Sequence, residues 1–349
     1  GMCAGHMLNS TKLFYPPITD DYVPRARLQE RLRLVARRPL TLVSAPAGYG
    51  KTTAISAWLE NSDLVRARLS LDESDNDLNS FLTYLVASIQ HQLDGFGLEL
   101  SEMIDRGVPL TAKAFVQQLA QQLDRINRDV ALVLDEFQTI RNGDVLSMLS
   151  ELMRHPHPRL HLVLVSRHDP QLPLSEWRAR NQMVDIRSGD LRFNLDETTA
   201  LLNGAINRPL DSTAIAQLYA STEGWVAGLR LAALTLSHVQ DGGSDHILDL
   251  NGSNQHTLEF LAEQVMATLP TNWQDFLVRT SILDRLCGPL CEAVIDEAAT
   301  PQLDGQTLLR ELYRENMFII PLDSQQQWFR YHYLFSEFLR SRLAREYSP

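Results

Sequence analysis

The chain has 349 residues, 44% hydrophobic and 21% charged, a balance expected of two or three soluble globular domains. Its formal net charge of −11 argues against a general nucleic-acid binder, which carries a basic face. No apolar run approaches the ~18 residues needed to span a membrane, no secretory h-region opens the chain, and three cysteines suit a reducing compartment, so a cytoplasmic protein without a membrane partner is expected.

Gly1 to Met7 reads in part as a cloning remnant, and residues 1–16 are set aside as a tail. Residues 8–24 are Pro-punctuated and irregular. Val23 to Leu32 opens a helix with Pro24 and Arg25 at its start. Leu40 to Val43 reads as a buried strand. Ala45-Pro-Ala-Gly-Tyr-Gly-Lys-Thr follows the phosphate-loop pattern, with Ala45 in place of the usual first glycine. A helix over Thr53–Glu60 completes the strand–loop–helix context the motif needs. Gly48 and Gly50 let backbone N–H groups turn inward around a phosphate, helped by the helix N-terminus. Ala47, Gly48, Tyr49, Gly50, Lys51, Thr52 and Thr53 are therefore the candidate nucleotide-binding residues, for ATP or ADP. Lys51 would reach the β- and γ-phosphates and Thr52 would place its hydroxyl on Mg²⁺. The chain has only three lysines, Lys12, Lys51 and Lys113, so a lysine at this position is a specific choice.

Leu64 to Leu71 reads as a second strand, Asp72 to Asp77 as a capped turn, and Phe81–Leu93 and Ala114–Ile126 as amphipathic helices. Val130 to Leu134 is a continuous apolar run ending in Asp135 and Glu136, as a strand buried on both faces should be. Asp135 would hold Mg²⁺ through water beside Thr52, and Glu136 would activate the attacking water as general base. An acidic turn after a strand is the plainer alternative for this pair. Asp144 is expected to cap a helix over Val145–Met153. His155, His157 and His161 are interleaved with prolines and read as a plain loop rather than a metal site. Leu162 to Val165 is another buried strand, ending in Ser166 and Arg167. Ligands sit at the carboxyl ends of parallel strands, which places Arg167 to sense the γ-phosphate. Pairing with Asp169 is the alternative for that arginine. Met183 to Ile186 is a short edge strand.

From Asp196 the strand–helix alternation stops. Helical periodicity runs over Asp196–Leu202, Ser212–Tyr219 and Trp225–Leu236, with Asn194, Asp196 and Thr222 as candidate caps. Gln240 to Asp245 is the best linker candidate. Helices follow at Leu258–Ala267, Trp273–Thr280, Pro289–Ala298 and Leu308–Asn316. Cys287 and Cys291 read as buried thiols. Met317–Asp323 and Gln327–Tyr331 form a hairpin signal, and a last helix covers His332–Glu346. The expected fold is α/β: a parallel-sheet P-loop NTPase domain of the ASCE type over 17–190, a helical domain over 191–249 and a winged-helix domain over 250–349.

Taken together these residues resemble the MalT-type, or large LuxR-type, ATP-dependent transcription activators, of the STAND class of signalling P-loop ATPases. The stretches that carry the resemblance are Val23-Pro-Arg-Ala-Arg-Leu, Ser44 to Thr53, Leu71-Asp-Glu-Ser-Asp-Asn-Asp, Leu134-Asp-Glu-Phe, Val165-Ser-Arg, Asp190-Leu-Arg-Phe, Glu223-Gly-Trp-Val-Ala-Gly-Leu, Thr280-Ser-Ile-Leu and Trp328-Phe-Arg-Tyr-His-Tyr-Leu-Phe. The resemblance implies a slow ATP hydrolase used as a switch. ADP would hold the module closed, and ATP with an inducer, sensed by a domain not in this chain, would open it and drive self-association. It implies further that Arg25 helps hold the nucleotide and that His332 contacts its β-phosphate. For His332 a bland core histidine is the alternative. The Gly-x-Pro motif seen in other branches of the class is not evident here. The superhelical sensor and helix-turn-helix of such proteins do not fit within this chain, which reads as their ATPase module, a fragment or a short member. Two other readings stay open: a DNA-binding regulator using its own winged helix, and a housekeeping ATPase. From Leu250 to Pro349 there are eight arginines, no lysine and thirteen acids, so strong DNA binding by that region is not expected.

Overall fold

The computed structural model describes residues 8–238, 254–295 and 304–347. The chain divides into two compact units. One holds the residues through Tyr15 with 26–46 and 51–191, and the other holds 16–25, 47–50 and the residues from Arg192 onward.

The first unit is built on a five-stranded sheet of β1 (Leu40–Ser44), β2 (Val65–Ser70), β3 (Val130–Asp135), β4 (Leu160–Ser166) and β5 (Met183–Arg187), in the order β2-β3-β4-β1-β5. Every pairing is parallel, and β1 is an interior strand, with Leu40 opposite both Leu162 and Met183. All residues of β1, β3 and β4 are buried, which is why these strands read as unbroken apolar runs rather than alternating ones. β5 is the edge strand expected of it.

The helices of this unit are α1 (Ala26–Leu32), α2 (Lys51–Glu60), α3 (Leu78–Gln90), α4 (Leu98–Asp105), α5 (Ala112–Asp124), α6 (Gly143–Arg154), α7 (Leu174–Ala179) and α8 (Ser188–Leu191). Three features differ from the sequence reading. α4, α7 and the one-turn α8 were not expected, and neither α4 nor α7 has a side-chain cap to announce it: α4 starts after Gly97 in the left-handed region (φ 64°), and α7 after Pro173. Asn142, not Asp144, caps α6, since its Oδ1 accepts from the amides of Asp144 and Val145. The segment set aside as a tail is ordered from Leu8 to Tyr15. Ser10–Leu13 form a 3₁₀ turn, Leu13 is buried in the sheet core, and buried Lys12 pairs with Asp75 at 2.5 Å, a carboxyl whose pKa burial raises. An apolar anchor and a satisfied buried charge hold that segment in place.

The second unit contains α9 (Leu195–Ala205), α10 (Ser212–Thr222), α11 (Val226–His238), α12 (Asn254–Thr268), α13 (Thr271–Thr280), α14 (Gly288–Val294), α15 (Gly305–Arg314), the strands β6 (Ile319–Pro321) and β7 (Phe329–Tyr331), and α16 (Tyr333–Glu346). Asn194 caps α9 in a reciprocal box with Glu197. Asp196 lies within the first turn of α9 and Thr222 ends α10, bonded to the Leu218 carbonyl, so neither is a cap; Asp211 caps α10. α11 packs on both α9 and α12. The linker candidate 240–245 lies outside the described residues, as do residues 296–298 of the helix expected over Pro289–Ala298. The expected hairpin is present: β6 and β7 pair antiparallel, with Ile319 opposite Tyr331. Phe329 also bridges to Leu286, and the buried Tyr331 hydroxyl meets Thr280 Oγ1 at 2.7 Å, joining the hairpin to the helices before it. Helices, a two-stranded wing and a closing helix make this the winged-helix arrangement. Among the described residues no helix is long and apolar enough to cross a membrane.

Candidate functional site

β1 ends at Ser44, where the Ala45 amide still donates to the Ser166 carbonyl at 3.2 Å, and the chain then turns through the loop into α2. α2 begins at Lys51, two residues earlier than the sequence suggested, because the loop feeds directly into its first turn. Lys51 Nζ reaches back to the Pro46 carbonyl at 2.9 Å, which holds the amine over the loop. Burial lowers the Lys51 pKa to about 8, against the opposing pull of Glu136 and Asp135. Thr52 and Thr53 follow in the first turn of α2, both half-buried.

Asp135, at the carboxyl end of β3, is 2% exposed. Its Oδ2 accepts from Thr52 Oγ1 at 2.9 Å and from Arg68 Nη2 at 2.8 Å, and its Oδ1 from the Glu136 amide at 2.8 Å. Burial alone would raise this carboxyl, but the Arg68 guanidinium and the donors from Thr52 and Glu136 hold it below the usual carboxylate range. Thr52 gives its only hydroxyl proton to Asp135, which leaves the oxygen lone pairs available to a cation. A hydroxyl and a carboxylate are hard oxygen donors of the kind Mg²⁺ takes, while it keeps several waters and uses phosphate oxygens for the rest. Among the described residues no cluster of three or more His, Cys, Asp or Glu makes a cage for a metal. The donor set therefore fits a cation that arrives with an anionic ligand.

Glu136 adopts a left-handed backbone (φ 57°), uncommon for a side-chain-bearing residue. Its Oε2 meets Arg167 Nη2 at 3.1 Å and also accepts from Gln138 Nε2. Gln138 Oε1 in turn accepts from the Arg167 amide at 3.1 Å, so Gln138 ties the carboxylate and the arginine together. Asp169, the alternative partner of Arg167, is held instead by Arg187 and Arg178.

The middle of the loop, residues 47–50, belongs with the second unit. Gly48 (φ 85°) accepts at its carbonyl from the Ala227 amide at 3.0 Å, and the Ala47 carbonyl accepts from Trp225 Nε1 at 3.4 Å. A methyl at Gly48 would lie 2.7 Å from Ala227 Cβ and Leu334 Cδ1 and 2.8 Å from Trp225 Nε1, so only glycine fits. Tyr49 is buried, with the Arg192 guanidinium 6.0 Å from its ring. Gly50 (φ 71°) has open space around it. Arg25 is buried with its guanidinium 5.0 Å from the Phe193 ring. His332 caps α16: its Nδ1 accepts from the Leu334 amide at 3.4 Å, its ring meets Phe318 edge-on, and it is half-buried.

The histidine segment read as a plain loop is one only in part, since His161 lies buried within β4, and of the two cysteines read as buried thiols Cys287 is only partly buried. His157 bonds Asp124 and His161 bonds Asp129 and the Arg38 carbonyl. Cys291 is a buried thiol, its pKa pushed up to about 12 by burial, and Cys287 is unpaired nearby. Arg68 and Gln138, which bond the candidate residues Asp135, Glu136 and Arg167 from outside the loop, were not revealed by the sequence.

The model for the MalT winged helix domain matches residues 262–349, and a model for an AAA domain matches residues 35–170. The HTH-type transcriptional regulator MalT of Yersinia pestis (strain Pestoides F) is 32% identical over 337 residues, 96% of this chain and 37% of that protein. The MalT of Yersinia enterocolitica is 32% identical over 338 residues, with the same coverage of 96% and 37%. The chain thus spans 37% of the length of the curated relatives it matches. Among solved structures, a STAND protein (signal transduction ATPase with numerous domains) with a tetratricopeptide repeat sensor from Pyrococcus horikoshii shares the fold. Its TM-score is 0.61 at 14% identity, over 94% of this chain and 44% of that one. A parallel sheet with a phosphate loop and the carboxylates of β3 thus makes up an AAA domain, followed by a winged helix domain of the MalT kind, in a chain similar in sequence to MalT-type transcription regulators over 37% of their length.

Proposed function

We propose that the chain is the nucleotide-switch module of a MalT-like, signal-responsive transcription regulator. ADP would hold it closed, and ATP with an inducer would open it and allow self-association. The inducer would be sensed by a domain outside these residues. Lys51 and the amides of 47–53 would bind the phosphates, Thr52 and Asp135 the Mg²⁺, and Arg25 would steady the nucleotide. Glu136 would activate water and Arg167 would sense the γ-phosphate. When bound, Mg²⁺ would neutralise charge building on the phosphates. Hydrolysis would be slow and would reset the switch.

One observation supports the switch over a housekeeping ATPase. The Gly48 carbonyl is bonded to Ala227, and Gly48 packs on Trp225 and on Leu334, two residues past His332. What fills the loop is therefore felt by α11 and α16. The acidic balance of 250–349 supports weak, non-specific DNA binding by this chain.

The test is His332→Ala, with ADP and a slowly hydrolysed ATP analogue titrated calorimetrically and the melting temperature measured. A contact can shift the closed–open balance only if it differs between the two states. Losing a hydrogen bond to a charged phosphate should weaken ADP binding by roughly ten- to hundred-fold and ATP binding less. Equal losses, or none, with a large fall in melting temperature would make His332 a core residue and remove the clamp.

A further inference from the structure

Arg68 lies on β2, in Val65-Arg-Ala-Arg-Leu-Ser, a segment whose alternation reads as a strand with both arginines in solvent. The structure buries the second one: Arg68 is 4% exposed. One end of its guanidinium, Nη1, donates to the Phe14 carbonyl at 2.6 Å, and the other, Nη2, to Asp135 Oδ2 at 2.8 Å. The Tyr15 ring lies 5.8 Å from its central carbon. A buried ion pair adds little net stability, because desolvating both charges offsets most of their attraction. Its position asks for another reason.

Lone-pair accounting supplies one. An ionised carboxylate offers about four acceptor sites. On Asp135, Oδ2 receives Arg68 and Thr52, and Oδ1 receives the Glu136 amide. One site on Oδ1 is left by this count. We propose that Arg68 is a positioning residue for the metal: by occupying Oδ2 from a guanidinium anchored at Phe14, it confines Asp135 to a single outward contact, with a water of the Mg²⁺ shell. Asp135 then cannot turn to chelate the cation or swing away from it. The planar fork matters as much as the charge, since it spans two fixed acceptors at once. The ordered segment Leu8–Tyr15 thereby becomes part of the support of the site.

This inference rests on the reading of the loop as an Mg²⁺–nucleotide site, and the experiment separates the two. A fluorescent ADP analogue is titrated into the parent chain, Arg68→Gln and Arg68→Lys, first in EDTA and then across a Mg²⁺ series, with melting temperatures alongside. In EDTA all three should bind alike, because Lys51 and the loop do not touch Arg68. The Mg²⁺ needed for half its effect should rise roughly ten-fold in Arg68→Gln, the size of a lost charge-assisted hydrogen bond. Arg68→Lys keeps the charge but not the fork and should fall between; it decides the matter alone if the Gln variant does not fold. An unchanged Mg²⁺ midpoint, or an equal loss of affinity in EDTA and Mg²⁺, overturns the positioning role. A parent chain that binds no ADP overturns the nucleotide reading itself.

Discussion

Gly48→Ala asks the loop to do two things it is not built for. Its φ of 85° is left-handed, which costs a side-chain-bearing residue about 1–2 kcal/mol. Its new methyl would sit 2.7–2.8 Å from Ala227, Leu334 and Trp225, an ångström inside ordinary contact. Overpacking of that kind adds about 1–3 kcal/mol. Gly50→Ala is the control: its φ is 71°, and nothing lies within 4 Å of the added carbon, so only the backbone cost applies. The two variants should therefore differ by about 1–3 kcal/mol, or roughly 5- to 150-fold in the equilibrium that docks the loop. Hydrogen–deuterium exchange reads that equilibrium at the Ala227 amide, which bonds the Gly48 carbonyl. Gly48→Ala should speed exchange over residues 225–229 by that factor more than Gly50→Ala does. Equal exchange in both variants would mean that Gly48 is not packed on α11 and α16 in solution, and the coupling argument would fail with it.

Lys51→Ala should remove tight binding of both ADP and ATP, because the phosphates lose their fixed cation; calorimetry that finds either affinity unchanged takes Lys51 out of the site. Glu136→Gln should bind ATP normally and hydrolyse it roughly 10²–10⁴-fold more slowly in a single turnover, the size of a lost general base. A parental rate would mean that another group activates the water. Hydrogen bonds from Arg178 and Arg187 hold the Asp185 carboxyl below its ordinary value. Its contribution to stability is complete above the unfolded carboxylate pKa and is lost as pH falls through the lower folded one. Asp185→Asn should thus be less stable than the parent near neutrality and lose less on acidification below about pH 4. Parallel acid melting curves for the two would show that the pair contributes nothing measurable.

The sheet and the loop were legible because their signals are local. Strands buried on both faces read as apolar runs, and Gly48, Gly50, Lys51 and Thr52 sit at fixed spacing between a strand and a helix. Asp135 and Glu136 could be placed because they end such a run. Arg68 could not be: an arginine in an alternating strand reads as solvated, and its partner comes from the neighbouring strand, 67 residues on. Gln138 stayed hidden for the same reason, since its role depends on Arg167 following directly on the neighbouring strand β4. Residues Leu8–Tyr15 were discounted because their polar residues, and the Pro16-Pro17 pair that follows, mask one buried leucine and one buried lysine. The short helices α4 and α7 lack side-chain caps, so no sequence mark set them apart.

The strand order has a consequence for how the molecule is made. β1 leads into the phosphate loop, yet both its neighbours come late: Leu40 pairs with Leu162 and with Met183. During synthesis, more than a hundred residues must leave the ribosome before β1 has a partner on either side. Until then its backbone groups and apolar side chains present an open edge of the kind that pairs with other chains. Contacts of such sequence separation also close slowly, because a long loop must be ordered before they form. The loop at the end of β1 therefore gains its frame last, and a nascent chain halted before Arg187 would carry the whole phosphate-binding sequence with β1 still lacking β5 beside it.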